Sequence, residues 1–280
     1  MIREFDVKHL TESIERMCGE NACDLPYDVE QAIASSLDLE DGEHASALLS
    51  ELLENARIAR KERIPLCQDT GMAVVFLDVG RDVHFSGDPY EAINEGVRRG
   101  YKKYFLRMSV VKDPLRRVNT GDNTPAITTI RIVPGDRVTV TLLAKGFGSE
   151  NMSRLAMLRP ADGLEGVLAF VLETVKLAGP NACPPLVVGV GIGGTFDHVA
   201  LLAKRALARP IGERHPDPFY ADFEESLLEK INQLGIGPQG FGGRTTALSL
   251  AVNVAPTHIA GLPVACNLNC HATRHRQEVL

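Results

Sequence analysis

The stretch Ile64-Pro65-Leu66-Cys67-Gln68-Asp69-Thr70-Gly71 constrains this chain more than any other. Proline fixes the backbone on entry and glycine frees it on exit. The stretch therefore reads as a tight loop presenting a thiol and a carboxylate two positions apart. A thiolate can hold a soft metal, and an adjacent acid can move a proton. The same cysteine could equally be a small core residue, the common fate of a free cysteine. The loop alone does not choose between the two.

Around that loop the hydrophobic pattern lays out a mixed α/β chain. Phe5, Val7, Leu10, Ile14 and Met17 fall at helical spacing, and helices follow near 28–38 and 43–61. Residues 1–62 thus form a helical lead-in, and 63–280 a mixed sheet with flanking helices and loops at strand ends. The whole, 1–280, reads as a single domain. Met72 to Val79 reads as a buried strand, and residues 88–104 as a helix marked by Tyr90, Ile93, Val97, Tyr101 and Tyr104. The polar stretch 107–123 is long for a plain connection, and long ordered loops usually carry function. Ile127–Val133 and Arg137–Ala144 are alternating strands that Pro134-Gly135-Asp136 predicts to be a hairpin. Helices are expected near 161–178, from Phe196, and near 219–234. Strands are expected over 186–194, 246–254 and 258–267.

Composition removes several classes of function. A net charge of −6 gives no electrostatic footprint for nucleic acid, and 5% aromatics without tryptophan offer no stacking platform. No apolar run approaches the roughly 18 residues of a membrane span. The amphipathic start MIREFDVKHLTESIERM lacks a signal-peptide core, so the expected location is cytoplasmic. Six cysteines, at 18, 23, 67, 183, 266 and 270, are too sparse for a disulfide scaffold.

Cys67, Cys183 and Cys270 share a setting, each at a loop flanking a strand with Pro, Gly or Asn nearby. Three thiolates from distant loops suit an iron–sulfur cluster with one iron lacking a protein ligand, open to a substrate oxygen as a Lewis acid. Spacing leaves a second reading open, three unrelated core cysteines, because no two of them are close in sequence. Lys145-Gly146-Phe147-Gly148-Ser149 could wrap an anion with backbone N–H groups. Gly189-Val190-Gly191-Ile192-Gly193-Gly194 fails the dinucleotide fingerprint and reads better as glycines that let backbones pack closely. Arg107 could clamp a carboxylate or simply pair on the surface.

Five segments together resemble the α subunit of the iron–sulfur hydro-lyases, the class I fumarase and L(+)-tartrate dehydratase family. They are PLCQDTG at 65–71, KGFGSEN at 145–151, NACPP at 181–185, GIGGTFDHVALLAKRAL at 191–207 and PTHIAGLPVACNLNCHATRHR at 256–276. The resemblance implies a [4Fe-4S] cluster on Cys67, Cys183 and Cys270, the last set in an N-x-x-C-x-x-x-R pattern with Asn267 and Arg274. It implies Asp69 as the catalytic acid, which must then hold a proton near neutral pH. It implies substrate contacts at Gln68, Arg107, Gly146 and Gly148, with His258 nearby, and leaves Cys18, Cys23 and Cys266 without a role. The implied reaction is hydration of fumarate to malate, with tartrate dehydration as the alternative. The family's second, swivelling β region has no room in this chain. A separate β subunit in an α2β2 hetero-oligomer is therefore expected to complete the site. A non-catalytic iron–sulfur carrier or sensor is the rival reading, but it needs neither the Asp69 acid nor the Arg107 clamp.

Overall fold

A computed structural model describes residues 2–280. In chain order it comprises β1 (Arg3–Phe5), α1 (Lys8–Cys23), α2 (Tyr27–Leu39), α3 (Glu43–Glu62), β2 (Met72–Gly80), β3 (Val83–Phe85), α4 (Pro89–Lys103), β4 (Ile127–Val133), β5 (Val138–Lys145) and α5 (Phe147–Glu150). There follow β6 (Arg154–Leu158), α6 (Gly163–Ala178), β7 (Leu186–Gly194), α7 (Phe196–Ala206), α8 (Pro218–Asn232), β8 (Ala247–Thr257), β9 (Leu262–Asn269) and β10 (His275–Val279). The mixed α/β class and the helical lead-in expected from the sequence are both present. The short strands β1, β3, β6 and β10 are additions that the sequence pattern does not announce. No helix among the described residues is long and apolar enough to cross a membrane.

The chain divides into two compact units. The first holds the chain up to Pro26, Ala56–Phe147 and Arg274–Leu280. Its main sheet runs β10-β5-β2-β4, with β2–β4 parallel and the other pairs antiparallel. Leu10, Ile14 and Met17 of α1 and Ile93, Val97 and Tyr101 of α4 bury against Val75, Leu77, Val140 and Leu142 of that sheet. This is the apolar stripe of each amphipathic helix meeting the inward face of alternating strands.

β4 and β5 do not form the expected hairpin, because β2 lies between them. The Pro134–Asp136 turn straddles the end of β2 instead. Gly80 N–H donates to Arg137 O, Arg81 N–H to Val133 O and Asp82 N–H to Gly135 O, at 2.7, 2.8 and 3.0 Å. The turn signal correctly marked a reversal, but alternation cannot say which strand comes to lie beside which.

The second unit holds Tyr27–Asn55 and Gly148–Thr273. Its sheet runs β6-β9-β7-β8, with only β7–β8 parallel. Val171 and Val175 of α6 and Leu227 and Ile231 of α8 pack on Val188, Val190, Val264 and Leu268. α7 covers the opposite face, its Val199 and Ala203 burying Ala265. A sheet covered on both faces explains why β7 shows no polar alternation. The glycines of β7 serve close packing, as the sequence reading expects. A Cβ on Gly189 would lie 2.2 Å from Ala203 O, and one on Gly191 2.2 Å from Val199 O, so only glycine lets the α7 backbone rest on the strand.

Candidate active site

In the first unit the Cys67 loop connects α3 to β2 and is fixed at both ends. Leu66 N–H donates to Ala22 O at 2.8 Å. Gly71, at φ +83°, lies so close to β5 that a Cβ would sit 2.7 Å from the Ala144 carbonyl carbon. Three buried side chains then hold the loop from behind. Tyr101 Oη–H faces Gly71 O at 2.8 Å and Thr70 O at 3.0 Å. Asn123 donates from Nδ2 to Gly71 O at 3.3 Å, while its Oδ1 accepts from Ser109 and Val110 N–H. Arg274 donates from Nη2 to Asp69 O at 2.9 Å. Burial pushes the Tyr101 hydroxyl far above its ordinary pKa, so it serves as a donor.

This anchoring aims the side chains of the loop. Cys67 is half-buried, and its Sγ accepts from Asp69 N–H at 3.4 Å. Gln68 is exposed, with Oε1 3.4 Å from the Cys67 thiol. The Asp69 carboxylate is oriented by two backbone donors, Gly71 N–H to Oδ1 at 2.9 Å and Phe147 N–H to Oδ2 at 2.8 Å. Gly146 borders that carboxylate, since a Cβ there would stand 3.4 Å from Oδ2. The Thr70 hydroxyl donates to Arg107 O at 3.0 Å, which brings the backbone of Arg107 to the loop and leaves its side chain exposed. Gln68, Asp69, Arg107 and Gly146 are thus gathered around one loop.

In the second unit Cys183 and Cys270 lie at one end of the sheet. Cys183 follows a short 3-10 turn, Gly179–Ala182, sits in the left-handed region at φ +55°, and is exposed. Cys270 follows β9, whose last residue, Asn269, pairs with Val187 of β7. His271 N–H donates to Cys183 O at 3.3 Å, tying the two cysteine loops together. Gln239 braces them, donating from Nε2 to Pro184 O at 2.7 Å and lying 3.0 Å from His271 Nδ1. Gly148 adjoins the same loop, since a Cβ on it would lie 3.7 Å from Asn181 O. A half-buried network supports the arrangement. Lys204 donates to Glu150 Oε1, and Asn267 Nδ2 donates to Glu150 Oε2 and to Ser153 Oγ, each at 3.1 Å. Burial draws the Lys204 ammonium below its ordinary pKa, opposed by Glu150.

His258 is not brought to this end. It occupies the exposed turn between β8 and β9, and the length of β9, about 25 Å at roughly 3.3 Å per residue, separates that turn from Cys270.

The six cysteines fall into two groups. Cys67, Cys183 and Cys270 are all open to solvent to some degree, whereas Cys18, Cys23 and Cys266 are buried. Burial pushes the Cys18 and Cys266 thiols up to about 12 and raises Cys23 as well, so none of these offers a thiolate. Within each unit, among the described residues, no three His, Cys, Asp or Glu side chains are grouped to hold a metal ion. Cys67 belongs to one unit and the other two exposed cysteines to the second. Each of the three is a thiol open to solvent to some degree, and thiolates are the donors an iron–sulfur cluster takes.

The model of the fumarate hydratase (Fumerase) family matches residues 11–279. The chain belongs to that family. Among its relatives, a Methanocaldococcus jannaschii protein provisionally named L(+)-tartrate dehydratase subunit alpha is 44% identical over 272 residues, covering 95% of each chain. The L(+)-tartrate dehydratase subunits alpha of Escherichia coli K12 and Shigella sonnei are each 33% identical, over 96% of this chain and 89% of theirs. Membership makes this chain a lyase of the hydro-lyase type, and these relatives are named as α subunits. Tyr101 and Asn123 support the loop without being singled out by the sequence, and Arg274, placed in the Cys270 pattern there, proves to hold Asp69 O. Tyr101 reads as one more apolar helix position. Asn123 sits in a stretch, Asn119 to Pro125, whose turn-forming residues did announce an ordered loop.

Proposed function

We propose that this chain is the α subunit of a [4Fe-4S]-dependent hydro-lyase that hydrates fumarate reversibly to malate. The observation that carries the reading is the Asp69 carboxylate, held by the Gly71 and Phe147 N–H groups two residues from Cys67 and bordered by Gly146. Cys67, Cys183 and Cys270 are the residues that would hold the cluster, and their exposure supports that role. When bound, the cluster would supply Lewis-acid polarisation of the substrate.

The remaining work falls to side chains. Asp69 gives a proton to the departing hydroxide in the dehydration direction and takes one from water in hydration. Its two backbone donors leave a lone pair on each oxygen for that exchange. The exposed Arg107 guanidinium takes a substrate carboxylate in a two-pronged contact, and Gln68 supplies a further polar group. Gly146 keeps the space beside Asp69 clear. The group that removes the carbon-bound proton comes from a separate β subunit, in keeping with the α-subunit names of the relatives.

Those same names favour a second reading, dehydration of L(+)-tartrate to oxaloacetate by the same machinery. Anaerobic co-purification with the β chain, iron and sulfide analysis, and parallel assays on fumarate, malate and L(+)-tartrate test both. Cluster content with turnover of one of these acids is expected. A fully loaded complex inert towards all three would overturn the reading in favour of a carrier or sensor.

A further inference from the structure

The β10-β5-β2-β4 sheet of the first unit has two edges, and the sequence treats them differently. β10 carries Arg276 and Glu278, engaged by Asp24 and Arg16. Charged side chains keep an edge from pairing with other chains. β4 has no such guard. Its seven residues, Ile127-Thr128-Thr129-Ile130-Arg131-Ile132-Val133, are all β-branched except the arginine, and such residues favour strands. The one charge, Arg131, is engaged within its own sheet, where Nε and Nη2 donate to the two Asp78 carboxylate oxygens at 3.1 and 2.7 Å. No residue of β4 is buried, and Ile127 and Ile132 stand 50% and 66% exposed.

Backbone alternation shows which groups this edge leaves open. Val133 O accepts from Arg81 N–H, just past the end of β2, at 2.8 Å, so the odd-numbered residues of β4 bond towards β2. The N–H and C=O groups of Thr128, Ile130 and Ile132 therefore face outward, where among the described residues no strand pairs with them. Just beyond, Ala126 N–H already donates to Asn94 Oδ1 at 2.9 Å, and Pro134 has no N–H to give. The open ladder thus runs over Thr128, Ile130 and Ile132 and is centred on Ile130. A β4 strand from a second copy, running antiparallel about a two-fold axis at Ile130, fits it. Ile130 then faces Ile130, Thr128 faces Ile132 and Thr129 faces Arg131. Every outward group is met, no arginine faces an arginine, and Ile132 is covered by Thr128 and Ile130 of the other copy.

We propose that two copies of this chain associate through antiparallel pairing of their β4 edges, joining two four-stranded sheets into one continuous sheet. The contact uses the same strand on both sides, so it closes after two copies. It lies wholly within the first unit of each chain and needs neither the cluster nor the substrate reading, so it stands or falls separately from them.

Sedimentation of the full chain, alone and with its β subunit, tests this. Wild type is expected to contain two copies of this chain in both forms. Thr128→Lys combined with Ile132→Lys sets lysine against lysine twice across the seam and should weaken self-association about a hundredfold or more, because opposed like charges are strongly unfavourable. Thr128→Glu combined with Ile132→Lys sets glutamate against lysine in the same register and should remain dimeric. Amide hydrogen exchange on wild type needs no variant. The N–H groups of Thr128, Ile130 and Ile132 should be protected in the dimer and exchange about tenfold faster or more once dilution separates the copies. Should the double-lysine variant fail to accumulate, that exchange decides alone. A monomeric wild type, or a double-lysine variant as dimeric as wild type, would overturn the proposal. So would a glutamate–lysine variant as dissociated as the double lysine, or loss of the β subunit in place of the second copy.

Discussion

The Asp69 carboxylate accepts a hydrogen bond from the Phe147 backbone N–H at 2.8 Å. The donor belongs to the Lys145–Asn151 segment and the acceptor to the Cys67 loop, so this one bond joins two of the segments that carry the family resemblance. With Gly71 N–H on the other oxygen, both ends of the carboxylate face donors. Asp69→Asn would therefore set an amide N–H against one of them, losing a bond as well as the transferable proton. We expect kcat to fall by about 10²–10⁴-fold, the usual worth of a general acid–base group, with iron content retained and KM little changed. Steady-state kinetics on the loaded α/β complex check this. Turnover close to wild type would mean that water or a β-chain residue handles the proton.

Gly146 stands beside the same carboxylate. Gly146→Ala puts a methyl group 3.4 Å from Asp69 Oδ2 without meeting backbone, so the protein should fold normally. The methyl occupies space that substrate needs, and we expect kcat/KM to drop roughly 10–100-fold, as small misplacements near reacting groups do. Gly148→Ala is a fitting comparison, since its methyl would make only an ordinary contact with Asn181 O. Equal, negligible effects of the two on kcat/KM would count against a substrate path past Gly146.

How much of this was legible in the sequence depends on the range over which each residue acts. The Cys67 loop announced itself through Pro65 and Gly71, whose backbone preferences are local. The glycines of β7 were likewise readable, because their spacing in an apolar strand calls for close packing. The β4–β5 hairpin was misread because strand order depends on β2, some fifty residues earlier. Tyr101, Asn123 and Arg274 support the loop by binding its carbonyl oxygens, and a carbonyl leaves no trace in residue types. His258, which the family resemblance sets near the site, lies at the opposite end of β9 from Cys270.

The division of the cysteines yields a direct test. Cys67→Ser, Cys183→Ser and Cys270→Ser should each lose the 4Fe–4S absorption and the activity. Cys18→Ala and Cys266→Ala should keep both, at a modest cost in stability from the small buried cavity left behind. Iron and sulfide assays after anaerobic reconstitution give the readout. Full cluster content in Cys183→Ser would remove that residue from the ligand set.

Acid stability should depend on Asp24. Burial alone would raise its carboxyl pKa, but hydrogen bonds from Arg60 at 2.5 Å and Arg276 at 2.7 Å outweigh burial and hold it below the ordinary value. A pKa lower in the folded than in the unfolded state contributes stability that is complete above about pH 4 and fades as pH falls through the folded value. Asp24→Asn should therefore melt lower than wild type at pH 7, and the gap should close as pH drops below about 4. Parallel melting curves across that range check it. A gap that stays constant with pH would place the effect in packing rather than in the ion pairs.

Tyr101→Phe isolates the support behind the loop. The ring packs in the core of the first unit, so removing only the hydroxyl preserves its packing. Thr70 O then loses its donor, and Gly71 O retains only the longer bond from Asn123 Nδ2 at 3.3 Å. Leaving a buried carbonyl unpaired costs about 1–3 kcal/mol, which should lower the melting temperature by several degrees. The loop carries Cys67 and Asp69, so kcat should fall as well, with the loss partly recovered at lower temperature where the loop stays closed. Tyr90→Phe, at a half-exposed site on the same helix, should change neither quantity. A Tyr101→Phe enzyme that melts several degrees lower yet turns over at the wild-type rate would show that the hydroxyl stabilises the fold without positioning Asp69.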